Sequence, residues 1–189
     1  RVVVGTIDPD PRNSGRGIEM LRDAGVKVVT NCLEAETNRL VKGHIKRFLY
    51  GRPFVRLKLA MSLDGKTALS DGHSKWITSE KARSDVQELR AMSSAIVTGV
   101  GTILHDDPSL SVRLQDPDFP NRREAMSVER PIYVLDSQLR IPLNSKVLER
   151  SSTVLVALEK ESKEHQYENE ILYAKKKSGR IDLATFLNE

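Results

Sequence analysis

Three short apolar runs rich in β-branched residues, 95–98, 132–135 and 154–157, most restrict what this chain can become. Each is too short for a stable helix and lacks polar alternation, which suits a strand buried on both faces as in a parallel sheet. The first fifty residues also alternate between strand and helix. Residues 2–7 are β-branched and apolar, Asp8-Pro9-Asp10-Pro11 breaks that run, and 17–24 has helical composition ending at Gly25. Residues 26–30 form a second strand-like run, and 34–50 carries Leu40, Val41, Ile45, Phe48 and Leu49 at roughly helical spacing. Strands alternating with helices imply an α/β layer.

Gly51-Arg52-Pro53 is the strongest boundary, because glycine ends a helix and proline cannot continue one. The chain therefore divides into 1–50 and 51–189. In 54–60, Val55, Leu57 and Leu59 alternate with Arg56 and Lys58, the pattern of a strand with one dry face and Lys58 on the polar face. Thr78 or Ser79 caps a helix running to about Arg90; Ala82, Val86 and Leu89 form its inward stripe, and Arg83, Gln87 and Arg90 share a polar face. Residues 115–130, with Pro117 and Pro120, read as a surface connection, and the charged stretch 159–177 as an exposed helix or loose excursion. The chain opens inside a β-like run without methionine, and an amphipathic helix begun at Asp182 stops within about two turns. Both ends are expected to be internal to a longer protein.

Composition narrows the class. Lys and Arg number 30 against 26 Asp and Glu over 189 residues, a net +4 that suits phosphorylated small molecules as well as nucleic acid. One cysteine excludes an intramolecular disulfide, and no apolar run approaches the ~18 residues of a membrane span. A soluble cytoplasmic protein is the default expectation. Cys32, His44, His73, His105 and His165 show no metal-ligand spacing, so no metal site is expected.

Gly99-Val100-Gly101-Thr102 follows a predicted strand and opens a possible helix, where glycines let backbone amides approach a phosphate. Leu104 occupies the third glycine position of the dinucleotide fingerprint, which excludes a conventional Rossmann site. Asp106-Asp107-Pro108 has turn chemistry, as does Asp64 in Leu63-Asp64-Gly65, and Trp76 is the only tryptophan.

Taken in order, the blocks 57–68, 74–78 and 98–108 resemble the nicotinamide-dependent reductase half of the bifunctional riboflavin biosynthesis deaminase/reductase family. Residues 1–50, through Val2 to Pro9 and Gly15-Arg16-Gly17, resemble the tail of that family's deaminase domain. The resemblance implies an α/β fold like dihydrofolate reductase, a mostly parallel sheet flanked by helices, preceded by the tail of a cytidine-deaminase-like domain. It implies NADPH-dependent reduction of the ribosyl group of 5-amino-6-(5-phosphoribosylamino)uracil to a ribityl chain. Carried over position by position, it assigns Ala60, Trp76, Thr102, Asp106 and Ser137 to the cofactor, and Ser74, Arg90, Leu110 and Arg113 to the substrate. Lys58, two residues before Ala60, is the catalytic candidate, binding the sugar and helping to supply a proton as the ribose ring opens.

The family's deaminase zinc motif is absent, so zinc belongs to the parent protein and not to this chain. The family's later reductase segment, with a substrate-facing acidic residue and a glycine-rich cofactor loop, is expected to follow Glu189. Activity of these residues alone is therefore expected to be low. A homodimer is the expected assembly, with no nucleic-acid or membrane partner. Two alternatives remain at this point: a reductase for the undeaminated 2,5-diamino pyrimidinone, and a basic, non-catalytic nucleotide- or RNA-binding module.

Overall fold

The computed structural model describes residues 1–158 and 164–188. Two compact units divide between Leu57 and Lys58. The first contains β1 (Val2–Val3), α1 (Arg16–Asp23), β2 (Val28–Val29), α2 (Glu34–Leu40) and α3 (Lys42–Tyr50). β1 and β2 pair in parallel, Val2 opposite Val28, which requires the intervening helix as a crossover. Gly25, at φ 74, turns the chain out of α1 as the expected helix stop. The helix expected over 34–50 is instead two, because Val41 leaves helical geometry at φ −110, ψ 23. Gly5 makes room for α2: a Cβ there would collide with the Thr37 side chain.

The second unit begins with α4 (Glu80–Ala91), β3 (Ile96–Gly99), α5 (Val100–Asp106) and α6 (Arg122–Ser127). It continues with β4 (Ile132–Leu135), β5 (Thr153–Ala157) and β6 (Glu170–Tyr173), then the β7–β8 hairpin (Lys176–Lys177, Arg180–Ile181) and α7 (Leu183–Phe186). Strands β3-β4-β5-β6 lie in that spatial order and are parallel throughout, with Thr98, Val134, Leu155 and Ile171 in one row. The three apolar runs are β3, β4 and β5. On one face, Ile132, Val134, Leu155 and Ala157 pack with Val100 and Ile103 of α5 and with Val147 of the 3-10 turn Lys146–Glu149. Burying each such side chain contributes about 1.5–3 kcal/mol. The opposite face is less covered, with Val97 44% exposed.

Two other expectations change. Residues 54–60 form no regular element and pair with no strand among the described residues; Leu57 is 80% exposed, so the alternation is present without a ladder to use it. Residues 159–163 of the charged stretch lie outside the described residues, while the remainder supplies the edge strand β6 and β7 rather than a helix. The 115–130 connection contains α6 and ends at buried Arg130. Its guanidinium donates to Ala91 O (2.6 Å), the last residue of α4, and to Ser93 O (2.9 Å) just past it, and to Ala125 O (2.9 Å) in the last turn of α6 and Val128 O (2.8 Å) at its C-cap. One cation thereby satisfies carbonyls at two helix C-termini, the ends that favour positive charge.

Candidate active site

Open parallel sheets leave their binding crevice beyond the carboxyl ends of the strands. Here Gly99 ends β3 beside Leu135, the last residue of β4, so the turns following the two strands start side by side. Val100 and Ile103 anchor α5 in the core, leaving Gly101 and Thr102 exposed. A Cβ on Gly99 or Gly101 would meet no protein atom within 4 Å, so internal packing requires neither glycine. What they leave is bare backbone, open to a ligand.

Asp106 and Asp107 have separate tasks. Asp107, left-handed at φ 41, accepts from Lys146 N (3.0 Å) and pairs with Lys146 Nζ (3.0 Å); these bonds hold its carboxyl below the usual range and lock the end of α5. Asp106 is exposed and stands 4.0 Å from Lys75 Nζ, linking the 74–78 segment to the C-terminal end of α5.

Helix α4 organises the rest. Ser79 caps it, its hydroxyl accepting from Ala82 N at 3.2 Å. The polar face then meets three targets in succession. Arg83 lies over the Trp76 ring at 4.4 Å and donates to Thr78 O at 2.7 Å. Gln87 Oε1 accepts from Arg113 N at 3.0 Å, and Arg90 Nη1 donates to Ser111 O at 3.5 Å. Arg83 and Arg90 are about 10 Å apart along the axis, from seven residues at 1.5 Å rise. Burial first, and the like charge of Arg113 second, lower the Arg90 pKa. Neither arginine pairs with a carboxylate among the described residues, so an anion is the complement this corner lacks.

The sequence-assigned residues thus fall into groups. Trp76 and Asp106 are tied through Lys75; Arg90, Leu110 and Arg113 are tied through Gln87 and Ser111, with Leu110 buried at φ 53. Thr102 is exposed in the first turn of α5 and Ser137 half-buried on the turn after β4. Ser74 and Ala60 are half-buried and Lys58 is exposed; none of these three is bonded to either group among the described residues. Asp64 is occupied within its own turn, by Ser62 and Lys66, which lower its pKa. Sequence reasoning placed Arg83 and Gln87 on the right face without a role, and passed over Asp136, which is fully buried at the end of β4 with Oδ2 accepting from Ile141 N at 2.8 Å. A charged residue closing an apolar strand was its only signal.

Known proteins resemble this chain closely. Residues 53–189 match the RibD C-terminal domain. The riboflavin biosynthesis protein RibD of Haemophilus influenzae is 44% identical over 165 residues, 84% of this chain and 44% of that protein. RibD of Escherichia coli is 38% identical over 191 residues, 99% of this chain and 52% of that protein. In structure, Acinetobacter baumannii RibD superposes with TM-score 0.81 at 34% identity, covering 98% of this chain and 49% of that one. The Thermotoga maritima diaminohydroxyphosphoribosylaminopyrimidine deaminase/5-amino-6-(5-phosphoribosylamino)uracil reductase gives 0.75 at 30% identity, covering 100% and 50%. The chain spans about half the length of these relatives. The expected α/β class, a mostly parallel sheet flanked by helices, is the one found.

Proposed function

The chain belongs to the RibD C-terminal domain family, and on that premise we propose that it is part of an NADPH-dependent reductase of riboflavin biosynthesis. The substrate is 5-amino-6-(5-phosphoribosylamino)uracil, whose ribosyl group becomes a ribityl chain, in a longer, cytoplasmic, homodimeric protein that also deaminates the pyrimidine. The observation that carries this reading is the face of α4, which sets Arg83 on Trp76 and Arg90 beside Arg113, with no carboxylate paired to Arg83 or Arg90 among the described residues.

The residues present fit the cofactor. Bare backbone at Gly99 and Gly101 and the hydroxyls of Thr102 and Ser137 offer hydrogen bonds just past β3 and β4, and the exposed ring of Trp76, linked through Lys75 to Asp106 at the end of α5, offers a stacking face. When bound, NADPH supplies the hydride. The protein holds the ribose C1′ near it, about 3–3.5 Å away, and excludes water. Arg90 and Arg113 take the substrate phosphate, for which a planar fork is suited, and Leu110 and Ser74 are assigned to the substrate with them. Lys58 binds the sugar and helps supply the proton needed as the ring opens. Among the described residues no group of three His, Cys, Asp or Glu could hold a metal ion; the zinc that the deamination would use is assigned to the parent protein.

The test is substrate-dependent NADPH oxidation by the full-length protein. Arg90→Met is expected to raise KM for the phosphoribosyl substrate about 10- to 100-fold, the worth of a charge-assisted hydrogen bond, with kcat far less affected. Wild-type protein that consumes no NADPH with this substrate would overturn the reading.

A further inference from the structure

The turn after β4 is built more rigidly than a surface loop requires. Asp136, fully buried, accepts from Ile141 N at 2.8 Å through Oδ2, and its backbone carbonyl accepts from Leu139 N at 3.2 Å. Leu139, at φ 48, and Ile141 are driven into the core, at 1% and 2% exposure. The Tyr167 hydroxyl lies 3.1 Å from Leu139 O and 2.9 Å from Ile141 O, its single proton shared between them.

Arg140 sits between these two anchored residues and is the one side chain of the three that faces outward, 57% exposed. Its Nε stands 3.9 Å from Asp136 Oδ1, a buried oxygen that accepts no hydrogen bond, and it has no other partner among the described residues. The carboxylate steadies the inner edge of the guanidinium and leaves the terminal nitrogens available. Ser137 lies on the same turn, and the register of Gly99 with Leu135 sets this turn next to the open glycine backbone after β3.

NADPH differs from NADH only by a phosphate on the adenosine 2′-oxygen, and a rigidly presented fork of N–H donors is suited to that group. Resting on the reductase reading above, we propose that Arg140 recognises this 2′-phosphate, with the Ser137 hydroxyl as its neighbour, and so sets the preference for NADPH over NADH.

The experiment measures equilibrium binding of NADPH and NADH to the full-length protein by nicotinamide fluorescence, with adenosine 2′,5′-bisphosphate and adenosine 5′-monophosphate as competitors. Arg140→Met is expected to weaken NADPH and adenosine 2′,5′-bisphosphate about 10- to 100-fold while leaving NADH and adenosine 5′-monophosphate unchanged. Arg140→Lys, which keeps the charge but loses the fork, is expected to weaken NADPH less, and it carries the test alone should the methionine variant fail to fold. Equal weakening of both nucleotides, or none, would overturn the assignment of Arg140. Wild-type protein that binds neither nucleotide would instead overturn the reductase reading.

Discussion

Asp136 shows how much can depend on one side chain that a ligand never touches. Removing its carboxylate leaves Ile141 N–H buried without an acceptor, so Asp136→Ala is expected to destabilise the fold by about 1–3 kcal/mol in a denaturant titration. Asp136→Asn, which keeps one oxygen for that N–H, is expected to recover most of the loss. Lys58 is the contrasting case, exposed and carrying its proposed role in the substrate rather than in the fold. In the full-length protein Lys58→Ala is expected to lower kcat about 100-fold with melting temperature unchanged, and turnover retained within a fewfold would remove Lys58 from the mechanism. Single residues were legible in the sequence where a local motif marked them: Ser79 as a cap, Gly25 as a stop, Asp64 as a turn. Asp136 and Arg140 were not, because burial and the 3.9 Å approach between them depend on a turn whose course is set by Tyr167, 26 to 28 residues further on.

Among the elements, α4 was the most legible, since cap, first-turn Glu80 and apolar stripe agree. Ser79→Ala is expected to cost about 1 kcal/mol, read by thermal melting. The strands of the three apolar runs were equally clear, although only β5 is buried on both faces because the far face of β3 and β4 is partly open; Leu155→Ala in the centre of β5 is expected to cost about 2–5 kcal/mol. Edge strand β6 was missed because Glu170 and a partly exposed Leu172 look like loop chemistry; only pairing with β5 makes it a strand. The break at Val41 was hidden because apolar spacing continues across it. In the first unit, His44 Nε2 at 2.7 Å, then Asp10 N and Asn13 Nδ2, hold the Asp8 carboxyl at about 2 against an ordinary 3.8. A depressed carboxyl stabilises the fold fully above its ordinary value and loses that contribution as pH falls through about 2. Carboxyl NMR of His44→Ala should show the Asp8 midpoint moving up toward 3.8, with little change in stability near neutrality because the pair is exposed.

For the whole molecule, the α/β class followed from alternation, and the family, with the mostly parallel sheet flanked by helices that it implies, from three motif blocks in order. What alternation did not convey is that a strand pattern needs a partner: 54–60 has the pattern and no ladder among the described residues. Hydrogen exchange should therefore find those amides unprotected in this chain, and protected in the full-length protein if a later segment pairs with them. The sheet itself has a different history. Because β3, β4, β5 and β6 neighbour one another in the order in which they are encoded, each strand finds its template already made by the one before. On a ribosome that delivers about 5–20 residues per second, such a sheet is laid down vectorially, each strand docking on the one encoded before it rather than waiting for a partner from elsewhere in the sheet.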